Sequence, residues 1–117
     1  MRKPVTFQFG GIARSVTIEL GLAVKLENAL GRGVLQIAGE LRNLTARFAD
    51  CLTIIRVALA ETGVVYTEAE AFKHIEVEGI VSAQIAATQI VNALFVTNDK
   101  APAQKGKAAR PLVTGTP

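Results

Sequence analysis

Hydrophobic and polar side chains alternate over most of the first twenty residues, in two runs that Gly10-Gly11 separates. The apolar positions of the two runs are Val5, Phe7, Phe9, Val16, Ile18 and Leu20. A period of two puts these side chains on one face of an extended chain, and a Gly-Gly pair accepts the positive φ angles of a tight turn. The pattern predicts an N-terminal β-hairpin over residues 4–20. Because two strands alone are marginally stable in water, other elements must cover the apolar face.

Beyond the hairpin, the apolar residues follow the spacing of α-helices. The predicted helices cover, approximately, residues 21–30, 34–43, 45–62, 67–77 and 80–96. Thr45 is expected to cap the third helix. Thr67 and Glu70 have the spacing of a capping box at the start of the fourth helix, which is expected to bury Phe72 and Ile75. We therefore predict an α+β fold that is mostly α, with the hairpin packed on a bundle of about five helices in a single globular domain, residues 1–97.

The fifth predicted helix lies in a segment, residues 79–98, that contains no charged residue. A membrane helix needs about 20 predominantly apolar residues, whereas this segment has Ser82, Gln84, Thr88, Gln89 and Asn92 in its interior. Each of these side chains would need a polar partner in a bilayer. The segment therefore predicts a core helix with part of its apolar surface left for a protein partner, and no membrane span.

Charge and cysteine content limit the classes of function. The formal net charge is +3, but residues 1–96 contain nine basic and nine acidic residues. The excess lies in residues 98–117, which are rich in Ala, Pro, Gly, Lys and Thr. We therefore predict a disordered basic tail there and do not expect nucleic acid as a partner.

The single cysteine, Cys51, cannot form an internal disulfide, and the first residues do not form a signal peptide. Both features predict a reducing, cytoplasmic location.

No group of residues has the composition of an active site. His74 is the only histidine, its i, i+4 neighbour Glu70 is an ordinary surface pairing, and a metal site usually needs three or four ligands. Cys51 lies between apolar helical positions, where a thiol acts as a small hydrophobic side chain. We predict no catalytic residue, no metal and no cofactor, and favour a binding or scaffolding role over an enzyme.

Four segments together resemble one protein family. The family's first helix contains Leu-Glu-x-x-Leu-Gly and follows a β-hairpin, and residues 20–31 resemble it. Its second and third helices resemble residues 34–41 and 52–59. Its fourth helix opens with Thr/Ser-x-Glu-Glu, which residues 66–71 resemble. Val34 departs from the polar residue that begins the family's second helix. The family is that of small tail-assembly proteins of long-tailed bacteriophages and gene transfer agents, labelled tail assembly chaperones or tail tube proteins, and the resemblance covers residues 4–96.

The resemblance implies a tail assembly chaperone encoded by a phage or prophage and working in the bacterial cytoplasm. Such a chaperone is thought to coat the tape-measure protein, a long apolar helix that fixes tail length, until tube subunits polymerise around it. The implied partners are the tape-measure protein or other phage tail proteins; a homo-oligomer is left open as an alternative. No catalytic residue is needed for this role, but a reversible apolar surface is.

The fifth predicted helix is the best candidate for that surface, because it is apolar on nearly every side and a small bundle can bury only one stripe fully. The residues that we expect to bind the partner are Ile80, Val81, Ile85, Leu94 and Phe95. The third helix is expected to form a groove with it.

Two alternatives remain open. The first is a structural tail component, a subunit of the tube or its terminator, which would need sheets that build rings, whereas only about sixteen residues alternate here. The second is a small DNA-binding regulator of a mobile element, which would need a basic recognition helix. The third predicted helix offers only Arg47 and Arg56, with Asp50 between them.

Overall fold

The computed structural model describes residues 4–96 and consists of a two-stranded antiparallel sheet followed by five helices. In chain order these are β1 (Pro4–Phe9), β2 (Ile12–Thr17), α1 (Gly21–Leu30), α2 (Val34–Arg42), α3 (Phe48–Ala60), α4 (Glu68–Ile75) and α5 (Ile80–Ala93). The predicted α+β, mostly helical fold with an N-terminal hairpin is confirmed. The predicted disordered tail, residues 98–117, lies outside the described residues and stays a prediction.

The hairpin turns at Gly10 and Gly11, whose φ angles are 71° and 82°. Phe9 pairs with Ile12 across this turn, so the loop has two residues. Both glycine amides donate to the Glu78 carboxylate, at 3.1 Å from Gly10 and 2.6 Å from Gly11. A Cβ atom at Gly10 would overlap the His74 ring. The hairpin is therefore anchored through its turn to the end of α4 and the following loop.

The apolar face of the hairpin packs into the core, with one correction to the predicted pattern. Phe7, Phe9, Val16 and Ile18 are buried, whereas Leu20 is exposed. Leu20 falls outside the alternation because β2 ends at Thr17 and the chain turns into α1 immediately afterwards, where Leu20 is the N-cap residue. The extended stretch is therefore shorter than residues 4–20.

The predicted start of the third helix is also wrong. The helix begins at Phe48, its N-cap is Arg47, and no side chain caps it. The Thr45 hydroxyl instead donates to the backbone oxygen of Glu40, so Thr45 belongs to the end of α2. α1 ends at Leu30, as predicted, whereas α2, α3, α4 and α5 end one to three residues earlier than predicted. α5, for example, ends at Ala93 and not at residue 96.

Side-chain caps define two helix starts. In α4, the Glu70 amide donates to the Thr67 hydroxyl and the Thr67 amide donates to the Glu70 carboxylate, which confirms the capping box. In α2, where Val34 replaces a polar residue, the Val34 amide donates at 2.8 Å to the carboxylate of Glu27 from α1. An acceptor from a neighbouring helix thus substitutes for the missing local cap.

The inner face of α4 differs from the predicted one. Ala71 and Ile75, which are four residues apart, are buried. Phe72 lies about 100° around the helix from Ala71 and is 48% exposed. The expectation that Phe72 is a core residue is therefore wrong, and its ring packs edge-on against Phe48 of α3, with ring centroids 6.2 Å apart.

At the centre of the bundle, α5 packs against α3, α2, β1 and α4. Its inner face contributes five buried apolar side chains: Ala83, Ala86, Ala87, Ile90 and Val91. Three of the five are alanines, and small side chains let the neighbouring helices approach closely. Between residues 4 and 96, no helix combines the length and hydropathy required to cross a membrane.

The end of α2 contains backbone strain at an exposed position. The amides of Leu44 and Thr45 donate to the carbonyls of Leu41 and Glu40, at 3.3 and 2.8 Å, which is the pattern of a Schellman motif. The residue at the left-handed position is usually glycine, yet here it is Leu44, with a φ of 61°. The side chain is 76% exposed and gains little from burial.

We expect Leu44→Gly to stabilise the protein by about 0.5–1 kcal/mol, because glycine adopts a positive φ without the Cβ clash. The measurement is the free energy of unfolding in urea. Leu44→Ala is the matched control, since it removes the same exposed side chain but keeps the Cβ atom. If the glycine variant were no more stable than the alanine variant, the strain at this position would be disproved.

Candidate partner-binding surface

An uncharged stripe of side chains runs along the outer face of α5 and the turn that follows it. Its residues have the spacing of a helix that packs against another helix. The stripe consists of Val81, Ile85, Thr88, Asn92 and Phe95, whose separations are four, three, four and three residues. Val81, Ile85 and Phe95 are exposed large hydrophobic residues. This alternation of four and three is the spacing with which one helix presents a seam to another. We call these five residues the outer stripe.

The structure places four of the five predicted partner-binding residues on the surface. Ile80, Val81, Ile85 and Phe95 are exposed, whereas Leu94 is only 6% exposed. Leu94 follows Ile90 by four residues and Val91 by three, so it continues the inner face of α5 and packs in the core. Its side chain is therefore not available to a partner.

A shallow groove runs beside Ile85, between β1 and α5. Its volume is about 230 Å³, and its lining residues are Thr6, Phe7, Gln8, Ser82, Ile85, Ala86 and Gln89. No charged side chain is among them. The groove extends the outer stripe sideways with an apolar and amide-rich floor, so this surface can accept an apolar segment without leaving a charge unpaired.

The third helix lies on the opposite side of α5 from this groove. Cys51 of α3 contacts Gln84, with the thiol sulfur 3.8 Å from the amide oxygen, and the Gln84 amide nitrogen donates to the Leu41 carbonyl at 3.0 Å. These contacts hold α2, α3 and α5 together inside the bundle. The surface groove next to Ile85 is formed with β1, and the expected groove between the third and fifth helices stays a prediction.

Exposed apolar side chains also occur away from α5, which sequence reasoning missed. They are Ile12, Leu20, Val24, Leu35, Leu44, Val65, Phe72 and Val77. Of these residues, Leu20 and Phe72 were expected to lie in the core, and no local feature of the sequence marks the others as exposed. Only the packing of the elements decides which of two neighbouring apolar positions is covered.

The residues that could have carried chemistry have structural roles. The His74 ring packs against Tyr66 and Phe9, with centroids 4.6 and 5.6 Å apart. Within residues 4–96, no cluster of three or more His, Cys, Asp or Glu side chains could hold a metal ion.

Arg32, in the turn after α1, donates to Glu40 at 2.6 Å and to the buried Asp50 at 2.9 Å. The hydrogen bond to Glu40 is the main cause that raises the pKa of Arg32, and the same bond lowers the pKa of Glu40.

The Cys51 thiol is expected to be unreactive in the folded protein. Burial, with a smaller effect from the charge of Asp50, raises the pKa of Cys51 to about 11, compared with about 8.5 for a free thiol. The thiol therefore stays neutral at pH 8, and its contribution to stability is present below the free-thiol pKa and lost as the pH rises through about 11.

We predict that Ellman's reagent at pH 8 labels the native protein at least about tenfold more slowly than the urea-unfolded chain, because only the thiolate reacts. Equal rates before and after unfolding would show that Cys51 is accessible.

The sequence profile of the family described as "Phage tail tube protein, GTA-gp10" matches residues 2–97. The matched residues include every helix and strand of the structure. No curated protein and no solved structure matches the chain.

Proposed function

The chain belongs to the GTA-gp10 family of phage tail tube proteins, and on this premise we propose that it acts in the phage tail by binding other tail polypeptides through the outer stripe of α5. The observation that carries the proposal is the exposure of Val81, Ile85 and Phe95 on α5 and the turn after it, a segment without charged residues. An uncharged apolar stripe of this kind is typical of a protein-binding surface. The family is one of tail proteins and not of enzymes.

The first candidate role is structural, as a subunit of the tail tube or of its terminator. The description of the family favours this role over the chaperone role that the sequence resemblance implied. In this role the outer stripe would bind a neighbouring subunit of the tail, either another tail protein or a second copy of this chain, and the contact would persist in the finished particle.

The second candidate role is that of an assembly chaperone for the tape-measure protein. Two features support it: the four-three spacing of the outer stripe suits an apolar helix, and the sheet between residues 4 and 96 consists of two strands of six residues each. A tube subunit would need extended sheets that build rings, and a two-stranded sheet is small. A role as DNA-binding regulator is less well supported, because residues 4–96 contain seven basic and nine acidic residues.

Quantitative mass spectrometry of purified particles separates the two roles. A tube or terminator subunit is expected in finished particles at a constant ratio to the other tail proteins. A chaperone is expected in the producing cells but not in the particles, since it must leave when the tube closes around the tape measure. The same samples should be tested with Ile85→Asp, which we expect to reduce tail formation in either role. Normal yields of tailed particles with this variant would contradict binding through the outer stripe.

A further inference from the structure

A second apolar groove lies between α3 and α4, away from the outer stripe of α5. Its volume is about 820 Å³, and its lining residues are Phe48, Ala49, Leu52, Glu68, Ala69, Phe72, Lys73 and Glu76. The floor is formed by the aromatic pair Phe48–Phe72 together with Leu52. Half of the Phe72 side chain is open to solvent. An occupant of this groove would therefore need a few aliphatic side chains.

The rim of this groove is acidic. The region of α4 and the loop after it, residues 67–79, contains four glutamates and one lysine. Two of the glutamates have partners, because Glu70 caps α4 and Glu78 binds the hairpin turn. The side chains of Glu68 and Glu76 line the groove together with Lys73, so the lining carries two negative charges and one positive charge. Neither glutamate side chain makes a hydrogen bond or ion pair within residues 4–96. Their unpaired charges favour a basic occupant.

The chain itself contains a segment with the matching chemistry. Residues 97–117 include four basic residues and one acidic residue, whereas residues 4–96 carry a net negative charge, with seven basic and nine acidic residues. Leu112 and Val113 are the large aliphatic residues of this segment, and they follow the basic residues Lys105, Lys107 and Arg110 closely.

We propose that the groove between α3 and α4 receives the chain's own segment 105–113. Leu112 and Val113 lie against the Phe48–Phe72 pair, and the preceding basic side chains lie beside Glu68 and Glu76. The contact needs only side-chain packing and charge attraction, so the segment requires no core or secondary structure of its own. This inference does not rest on the proposed function of the outer stripe, which is uncharged and lies on another helix.

The length of the connection permits this contact. Leu112 is sixteen residues from Val96, the last residue that the structure describes. At about 3.3 Å per residue the chain can span up to about 50 Å, whereas a domain of this size has a radius of gyration of about 12 Å. The segment can therefore reach any point on the surface of its own domain. Because the rim charges are exposed, the contact weakens when salt screens them.

Zero-length carbodiimide cross-linking tests the proposal on the full-length protein. The sample is an equimolar mixture of ¹⁴N- and ¹⁵N-labelled chains, so that links within a chain and between chains differ in mass. We expect links from Lys105 or Lys107 to Glu68 or Glu76 within one isotope, at low salt, and their loss at about 1 M salt. Three results would overturn the proposal: no such links, links of mixed isotope, or equal linking of these lysines to Glu19 and Glu61 elsewhere on the protein.

Serine variants test the apolar part of the contact. The double variant Leu112→Ser, Val113→Ser keeps every charge and lies outside the described fold; we expect it to lower the yield of these links at least about threefold. Phe72→Ser should have the same effect from the groove side. Phe95→Ser is the matched control, because Phe95 is 46% exposed and lies on the outer stripe. Unchanged yields in the first two variants, or an equal loss in the control, would contradict docking in this groove.

Discussion

Replacing Ile85 by aspartate is expected to abolish binding to other tail polypeptides and to leave the fold intact. Ile85 is 54% exposed at the middle of the outer stripe and also lines the groove beside β1. In the free protein the new carboxylate stays hydrated. In the complex it would be buried against apolar groups, and an unpaired buried charge costs several kcal/mol. We therefore expect affinity to fall by more than about 100-fold, measured by co-purification with co-expressed tail proteins.

Val24→Asp is the matched control for this experiment. Val24 is also an exposed β-branched residue in a helix, with 59% of its side chain exposed, but it lies on α1, which packs against α2 and α3. We expect this variant to bind as the unmodified protein does. Unfolding curves of both variants should overlay that of the unmodified protein. Equal loss of binding in both variants would show that added charge, and not its position on α5, causes the effect.

The second large effect is on stability, at the opposite face of the same helix. Ile90 is 0% exposed, and replacing a buried isoleucine by alanine removes packed methyl groups and leaves a cavity. We expect Ile90→Ala to lower the free energy of unfolding by about 2–5 kcal/mol. The measurement is urea denaturation followed by circular dichroism. Because the total stability of a small domain is about 5–15 kcal/mol, this loss is a large fraction of it.

Ile85→Ala is the internal control for Ile90→Ala, since it is the same substitution in the same helix. At the exposed position we expect a change within about 0.5 kcal/mol. The difference between the free energies of unfolding of the two variants shows which face of α5 is buried and which is exposed. Similar losses at both positions would mean that both faces are buried, and the outer stripe would not exist as a surface.

Local sequence features predicted the fold well where the interaction that fixes an element lies within a few residues. The hairpin turn at Gly10-Gly11 and the capping box of Thr67 and Glu70 are both of this kind. Two residues at element boundaries were assigned to the wrong element. Thr45 was expected to begin the third helix but belongs to the end of α2, and Leu20 was expected to end the hairpin but precedes α1 as its N-cap residue. The local sequence does not show whether such a residue ends one element or begins the next. Contacts between residues far apart in the chain, such as the hydrogen bond from the Gly11 amide to the Glu78 carboxylate, have no local signal.

The candidate surface could be predicted only in part. The absence of charge from residues 79–98 indicated that α5 has more apolar surface than one core needs. The sequence did not show which stripe faces outward, and for that reason Leu94 was placed in the binding set although it packs in the core. The groove between α3 and α4 was not predicted, because it depends on how Phe48 and Phe72 meet across two helices.

The most direct test of the central claim, that the exposed face of α5 binds another tail polypeptide, is site-specific photo-cross-linking in cells that produce tails. A benzophenone amino acid is placed at position 85 and, in a separate strain, at position 24. We predict that position 85 cross-links to a tail protein, identified by mass spectrometry, and that position 24 does not. Cross-links to the same protein from position 24 but none from position 85 would contradict the claim.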